Sequence, residues 1–197
     1  MSARVREQRA IGLYDPANEH DACGVAFVAA LTGSESHDIV EAGLTALKRL
    51  DHRGAVGAEE NTGDGAGILI QMPDAFLRQE IRSDLPPVGS YAAGLVFLPG
   101  AARERVELSR AVAAVEAIAR EEGLRVLAWR DVPVEDGPIG PTARGSMPTF
   151  RQVVVADQRN ARSGRELDIA AFRLRRKAER RHGVYMSGLS TSTMVYK

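Results

Sequence analysis

Strand-like apolar runs alternate along this chain with apolar stripes at helical spacing, and that alternation restricts the fold more than any other feature of the sequence. Residues 23–31 (Cys-Gly-Val-Ala-Phe-Val-Ala-Ala-Leu) are apolar on both alternating faces, the pattern of a strand covered on both sides. After the turn Thr32-Gly33-Ser34, residues Ile39, Val40, Gly43, Leu44, Leu47 and Leu50 predict a helix over 37–51, N-capped by Ser36 or Asp38 and buried on one face. Gly67 to Met72 predicts a second strand, stopped by Pro73, and a short helix over 74–81 follows. Tyr91 to Leu98 predicts a third strand. Leu108, Val112, Val115 and Ala119 stripe a helix over 101–122 that Gly123 closes in a left-handed cap, and Leu124 to Trp129 predicts a fourth strand. Pro133, Gly137, Pro138, Gly140, Pro141, Gly145 and Pro148 then predict a long loop with neither helix nor ladder. Val153 to Ala156 resumes a strand, Leu167, Ala170, Ala171, Leu174 and Ala178 stripe a helix, and Val184 to Tyr196 holds one or two closing strands.

A chain of 197 residues with 44% hydrophobic and 26% charged residues can bury a sizeable core. Twenty-six basic residues balance twenty-six acidic ones, so no net field draws it to nucleic acid or an anionic membrane. One cysteine excludes an intrachain disulfide or a cysteine-clustered metal site, which suits a reducing cytoplasm. His20, His37, His52 and His182 lack ligand spacing, so no metal site is expected. Residues 1–22 carry arginines but no apolar core of a secretory signal, and Val25 to Leu31 is too short to span a bilayer. The expectation is a soluble, cytoplasmic chain. It stops at Val195-Tyr196-Lys197 inside strand pattern, which reads as a fragment of a longer domain.

Cys23 stands at the seam between the polar leader 1–22 and the first apolar run. A lone cysteine is ordinarily a small buried hydrophobe. Freed by cleavage after Ala22, however, it would carry both a thiol nucleophile and an α-amine with an ordinary pKa of about 7.7 to 8.0, suited to act as base at neutral pH. Arg53, in Leu50-Asp51-His52-Arg53-Gly54-Ala55, lies where the first helix ends; it reads either as a helix-terminal cation or as a group reaching a carboxylate or developing oxyanion. Asn61-Thr62-Gly63-Asp64-Gly65-Ala66-Gly67 permits tight turns and close backbone approach, but lacks a phosphate-binding register. Arg173 to His182 holds six Lys or Arg against one Glu, read as a solvated face or a docking surface for a partner domain.

Gly12-Leu13-Tyr14-Asp15-Pro16, His20-Asp21-Ala22-Cys23-Gly24-Val25, Leu50-Asp51-His52-Arg53-Gly54-Ala55, Thr62-Gly63-Asp64-Gly65-Ala66-Gly67-Ile68, Val184-Tyr185-Met186-Ser187-Gly188-Leu189-Ser190 and Val195-Tyr196-Lys197 together resemble the amino-terminal amidotransferase region of the glutamate synthase large-subunit family. The resemblance runs through the whole chain in order and spacing. It implies an α+β fold, the four-layer αββα sandwich of Ntn hydrolases, present only as its N-terminal portion, with 1–22 a propeptide and 23–197 part of a class II (type 2) glutamine amidotransferase domain.

The resemblance further implies hydrolysis of L-glutamine by Cys23, with Arg53 an accessory catalytic residue and ammonia passed to 2-oxoglutarate for reductive glutamate synthesis. FMN and an iron–sulfur cluster are expected in the complete subunit and none in this segment. The implied partners are the remainder of the subunit and a small reductase subunit, with no nucleic acid and no membrane. The family's Arg-Phe-Ser-Thr motif and Asn-Gly oxyanion pair do not occur in these residues, so the 197-residue piece alone is expected to be inactive. The competing expectation is a non-catalytic α/β module that binds nucleotide or RNA through the Gly63 to Gly67 loop and the basic helix.

Overall fold

The computed structural model describes residues 24–50, 63, 65–81, 84–100 and 105–197. Among the described residues six strands form two antiparallel sheets. The larger runs β3 (Leu124–Asp131), β4 (Thr149–Asp157), β2 (Tyr91–Leu98), β5 (Tyr185–Met186), and the smaller pairs β1 (Ile68–Gln71) with β6 (Thr193–Tyr196). The central strands β2 and β4 pair from Tyr91↔Ala156 to Leu98↔Thr149 and are apolar on both faces because both faces are covered. Ala92, Val96, Leu98, Val153 and Val155 face α3 (Arg105–Glu121) and α5 (Gly164–His182), which contribute Val115, Ile118, Leu167, Ala171 and Leu174. Tyr91, Ala93, Val154 and Ala156 face the small sheet and α2 (Asp74–Glu80), meeting Ile70, Met72, Leu77 and Met194.

Local signals set the element ends. Gly123 (φ +69°) and Gly183 (φ +65°) take the left-handed conformation after α3 and α5, where a Cβ would be strained. The Ser36 hydroxyl accepts from the Asp38 backbone N–H at 3.1 Å and caps α1 (His37–Arg49). The crossing between sheets follows β5: Ser187 N–H donates to the Leu95 carbonyl, the Gly188 carbonyl presses on Gly94, and Ser190 rejoins β2 opposite Ala93. The Asp168 carboxylate, on α5, then accepts from the Thr191 N–H (2.7 Å) and hydroxyl (3.1 Å), turning the chain into β6.

Four expectations need correction. Residues 24–31 form no strand; Val25 is 87% and Phe27 92% exposed, because an apolar extended run becomes a strand only by pairing and this one joins no ladder with a described strand. The helix predicted over 37–51 is present, yet none of its residues is fully buried. The Pro/Gly-rich stretch 133–148 contains a short helix, α4 (Pro141–Gly145), because proline at the first helical position loses no hydrogen bond and already holds a helical φ. The strand expected over 153–156 starts earlier, at Thr149.

The layers seen are helices, large sheet and small sheet. On the far face of the small sheet Leu69 remains exposed, and α1, which approaches β1 where Gly43 faces the Ile68 side chain, buries none of its own residues, so a second outer helical layer is not part of the described packing.

Candidate functional site

The corner where β1 begins and β6 ends gathers three of the segments singled out in the sequence. Ile68 pairs with Tyr196, which brings Gly67, the end of the glycine-rich stretch, beside Tyr196 and Lys197. Gly65 adopts φ +80°, and a Cβ on Gly67 would sit 2.8 Å from the Tyr196 carbonyl oxygen and 3.4 Å from the Lys197 Cα, so glycine is required by close approach of backbone. Tyr185 belongs to the same corner: Lys197 Nζ lies 5.2 Å from its ring centre, and the ring continues a row with Phe97 and Phe150 across three strands, centroids 5.1 Å apart at each step. The Ser187 hydroxyl donates to the Val195 carbonyl at 3.2 Å.

A polar bridge crosses between the sheets beside this corner. Gln152 of β4 is fully buried; its Nε2 donates to the Tyr196 hydroxyl at 2.9 Å and its Oε1 accepts from Arg130 Nη1 at 3.2 Å. Arg130 also donates to Glu80 Oε2 through Nη2 (2.6 Å) and Nε (3.1 Å) and lies over the Phe76 ring. Sequence reasoning missed this bridge. Its only signal was one glutamine abutting the run Val153 to Ala156, and nothing in the sequence says that Tyr196 lies opposite it.

Titrating groups elsewhere are held by structural partners. Asp74 sits below the usual carboxylate range, chiefly through its hydrogen bond from Arg78 Nε, with the Tyr91 hydroxyl donating to its other oxygen at 2.7 Å. Burial, together with that carboxylate, pushes the Tyr91 phenol up. At Asp157 burial opposes ionisation but is outweighed by donation from the Ala161 N–H, Arg162 and the Arg159 N–H, so its pKa falls. A groove of about 410 Å³ lined by Asp84, Pro86, Ser90, Arg125 and Asn160 lies at the opposite end of the large sheet from the Gly67 corner, and Arg125 there is already engaged by Asp157 and Gln158 carbonyls and the Asn160 side chain.

The basic helix is largely spoken for within the chain. Lys177 pairs with Glu121 and Glu122, Arg181 with Glu121 at 2.8 Å, Arg176 with Glu179, and Arg175 stacks on Phe172. Such pairing, with no interleaved aromatic platform, gives no support to a nucleic-acid surface.

Cys23 and Arg53 both lie outside the described residues, as do His52 and Asp64. What is described are their flanks: Gly24, half-buried; the end of α1 at Leu50; and Gly65–Gly67. Among the described residues no group of three His, Cys, Asp or Glu could hold a metal ion, and no helix is long and apolar enough to cross a membrane.

The family profile described as glutamine amidotransferases class-II matches residues 23–197. This chain belongs to that family. The class II assignment covers every described element and begins at Cys23. Among curated relatives, the chain is similar to the glutamate synthase [NADPH] large chain of Bacillus subtilis, 41% identical over 96% of this chain and 13% of that protein. It is also similar to the glutamate synthase [NADPH] large chain of Azospirillum brasilense, at 36% over 93% of this chain and 12% of that one. The ferredoxin-dependent glutamate synthase of Cyanidium caldarium is 35% identical, over 91% of this chain and 12% of that protein. The chain therefore spans only about an eighth of the length of these relatives, and it resembles NADPH- and ferredoxin-named enzymes alike.

Proposed function

We propose that this class II amidotransferase segment is the front of the glutaminase part of a glutamate synthase, with Cys23 its nucleophile. The observation that carries the reading is the family match beginning at residue 23, the only cysteine, together with glutamate synthase relatives at 35–41% identity across nearly the whole chain. Removal of residues 1–22 frees the Cys23 amine. That amine takes the thiol proton as sulfur attacks the side-chain amide carbon of glutamine; the tetrahedral adduct collapses, the C–N bond breaks, and the ammonium returns the proton to departing ammonia. Water, activated by the same amine, then cleaves the γ-glutamyl thioester to glutamate. Arg53 assists by holding the nucleophile loop or the developing negative charge.

On this reading ammonia passes to another part of the polypeptide, where 2-oxoglutarate is aminated and reduced, in a cytoplasmic enzyme assisted by a small reductase subunit. FMN and the iron–sulfur cluster belong to those other parts; one cysteine cannot supply the thiolates of a cluster. The glutamine clamp and oxyanion donors also come from outside these residues, which leaves the piece alone inactive. The four-layer αββα sandwich is completed when residues 24–31 and further strands extend the small sheet and a helical layer covers Leu69.

The test is Cys23→Ala in the full-length protein. Glutamine-dependent glutamate formation is expected to fall to background while formation from ammonium salt and 2-oxoglutarate continues. Glutamine-dependent turnover that survives the substitution would remove Cys23 from the mechanism.

A further inference from the structure

A fully buried glutamine in an otherwise apolar inter-sheet space needs a reason, since an apolar residue of similar volume would pack there without demanding partners. The partners of Gln152 are specific. One is Arg130, its directly opposed neighbour on β3, anchored in turn to Glu80, the last residue of α2. The other is the Tyr196 hydroxyl, across the gap on the small sheet. The contacts between the sheets through Ile70, Met72 and Met194 are apolar and set no register along the strands, and the polar ones besides this bridge, Ser187 to the Val195 carbonyl and Lys197 to Tyr185, hold the outer corner rather than the inter-sheet space. A directional hydrogen bond does. Tyr196 is also the residue whose carbonyl lies against Gly67, so whatever fixes Tyr196 fixes the end of the glycine-rich segment that enters β1.

We infer that the Glu80–Arg130–Gln152–Tyr196 bridge is a positioning device for the Gly65–Gly67 segment, locking it relative to the large sheet so that it can serve as a wall of the glutaminase site. The functional half rests on the glutaminase reading; the positioning half does not. Tyr196→Phe removes one hydroxyl and Gln152→Leu removes the bridge, whereas Gln152→Glu keeps an acceptor for Arg130 and lets the Tyr196 hydroxyl donate.

The experiment measures full-length variants in two ways. Amide exchange at Gly65, Ala66 and Gly67 is expected to accelerate by about tenfold or more in Tyr196→Phe and Gln152→Leu and to stay near wild type in Gln152→Glu. Glutamine-dependent turnover is expected to fall by roughly tenfold or more in the first two, since small misplacements near a reacting centre are costly, with ammonium-dependent turnover changed by less than about twofold. Unchanged exchange in both disruptive variants overturns the positioning role. Altered exchange with glutamine- and ammonium-dependent turnover unchanged, or lost in parallel, overturns the link to the site. A wild-type protein that hydrolyses no glutamine sinks the glutaminase reading instead, and the exchange result still decides the positioning.

Discussion

At the scale of single residues, two glycines separate two kinds of constraint. Gly183 has open space where a Cβ would go but holds φ +65°, so Gly183→Ala is expected to cost roughly 1 to 2 kcal/mol from backbone strain alone, read by chemical denaturation. Gly94 has ordinary φ, yet a Cβ there would overlap the Gly188 carbonyl; Gly94→Ala is expected to cost roughly 3 kcal/mol, the upper range for overpacking, and to loosen the 187–190 crossing. The first stands just after a helical stripe, the position at which Gly123 was read from the sequence as a cap, although Gly183 itself was not singled out. The second was not legible, because its neighbour is 94 positions away. The same asymmetry applies to Asp157, which anchors the Arg159 and Ala161 N–H groups and the Arg162 side chain; Arg162 in turn donates to the Glu122 and Gly123 carbonyls at the end of α3. Asp157→Ala is expected to cost roughly 1 to 3 kcal/mol by removing the buried carboxylate on which those donors converge.

At the scale of elements, segments whose identity is decided locally could be read from the sequence. β2 matches its predicted bounds, and α3 and α5 stop at their glycines, because periodicity and caps act within a few residues. Elements that depend on a distant partner could not. The run after Cys23 has the composition of a covered strand, but Val25 and Phe27 are exposed because composition does not supply the neighbouring strand. Backbone amides of residues 25–31 are accordingly expected to exchange fast in the isolated 197-residue chain and to become protected in the full-length protein; equal, fast exchange in both would contradict the completed sandwich proposed above. Strand order β3-β4-β2-β5 and the β1–β6 pairing were likewise beyond the sequence pattern, and with them the approach of Tyr196 to Gly67.

At the scale of the whole molecule, the described fold explains an acid limit to stability. Asp74, chiefly through Arg78, and Asp157, through donors that outweigh its burial, titrate below their unfolded values. A lowered native pKa adds stability above about pH 4, the ordinary aspartate value, and that stability is lost as pH falls through the native values. Denaturation midpoints are therefore expected to fall below pH 4, and Asp157→Asn to flatten that fall. The family was legible in the ordered motifs, whereas the proposed site residues Cys23 and Arg53 lie outside the described residues, so the geometry of the site was not. The central claim, that Cys23 acts as an N-terminal nucleophile, is tested most directly by sequencing the amino terminus of the full-length protein in its glutamine-active form. The account predicts that it begins Cys-Gly-Val-Ala-Phe. A protein that turns over glutamine with Ala22 still attached to Cys23 would contradict it.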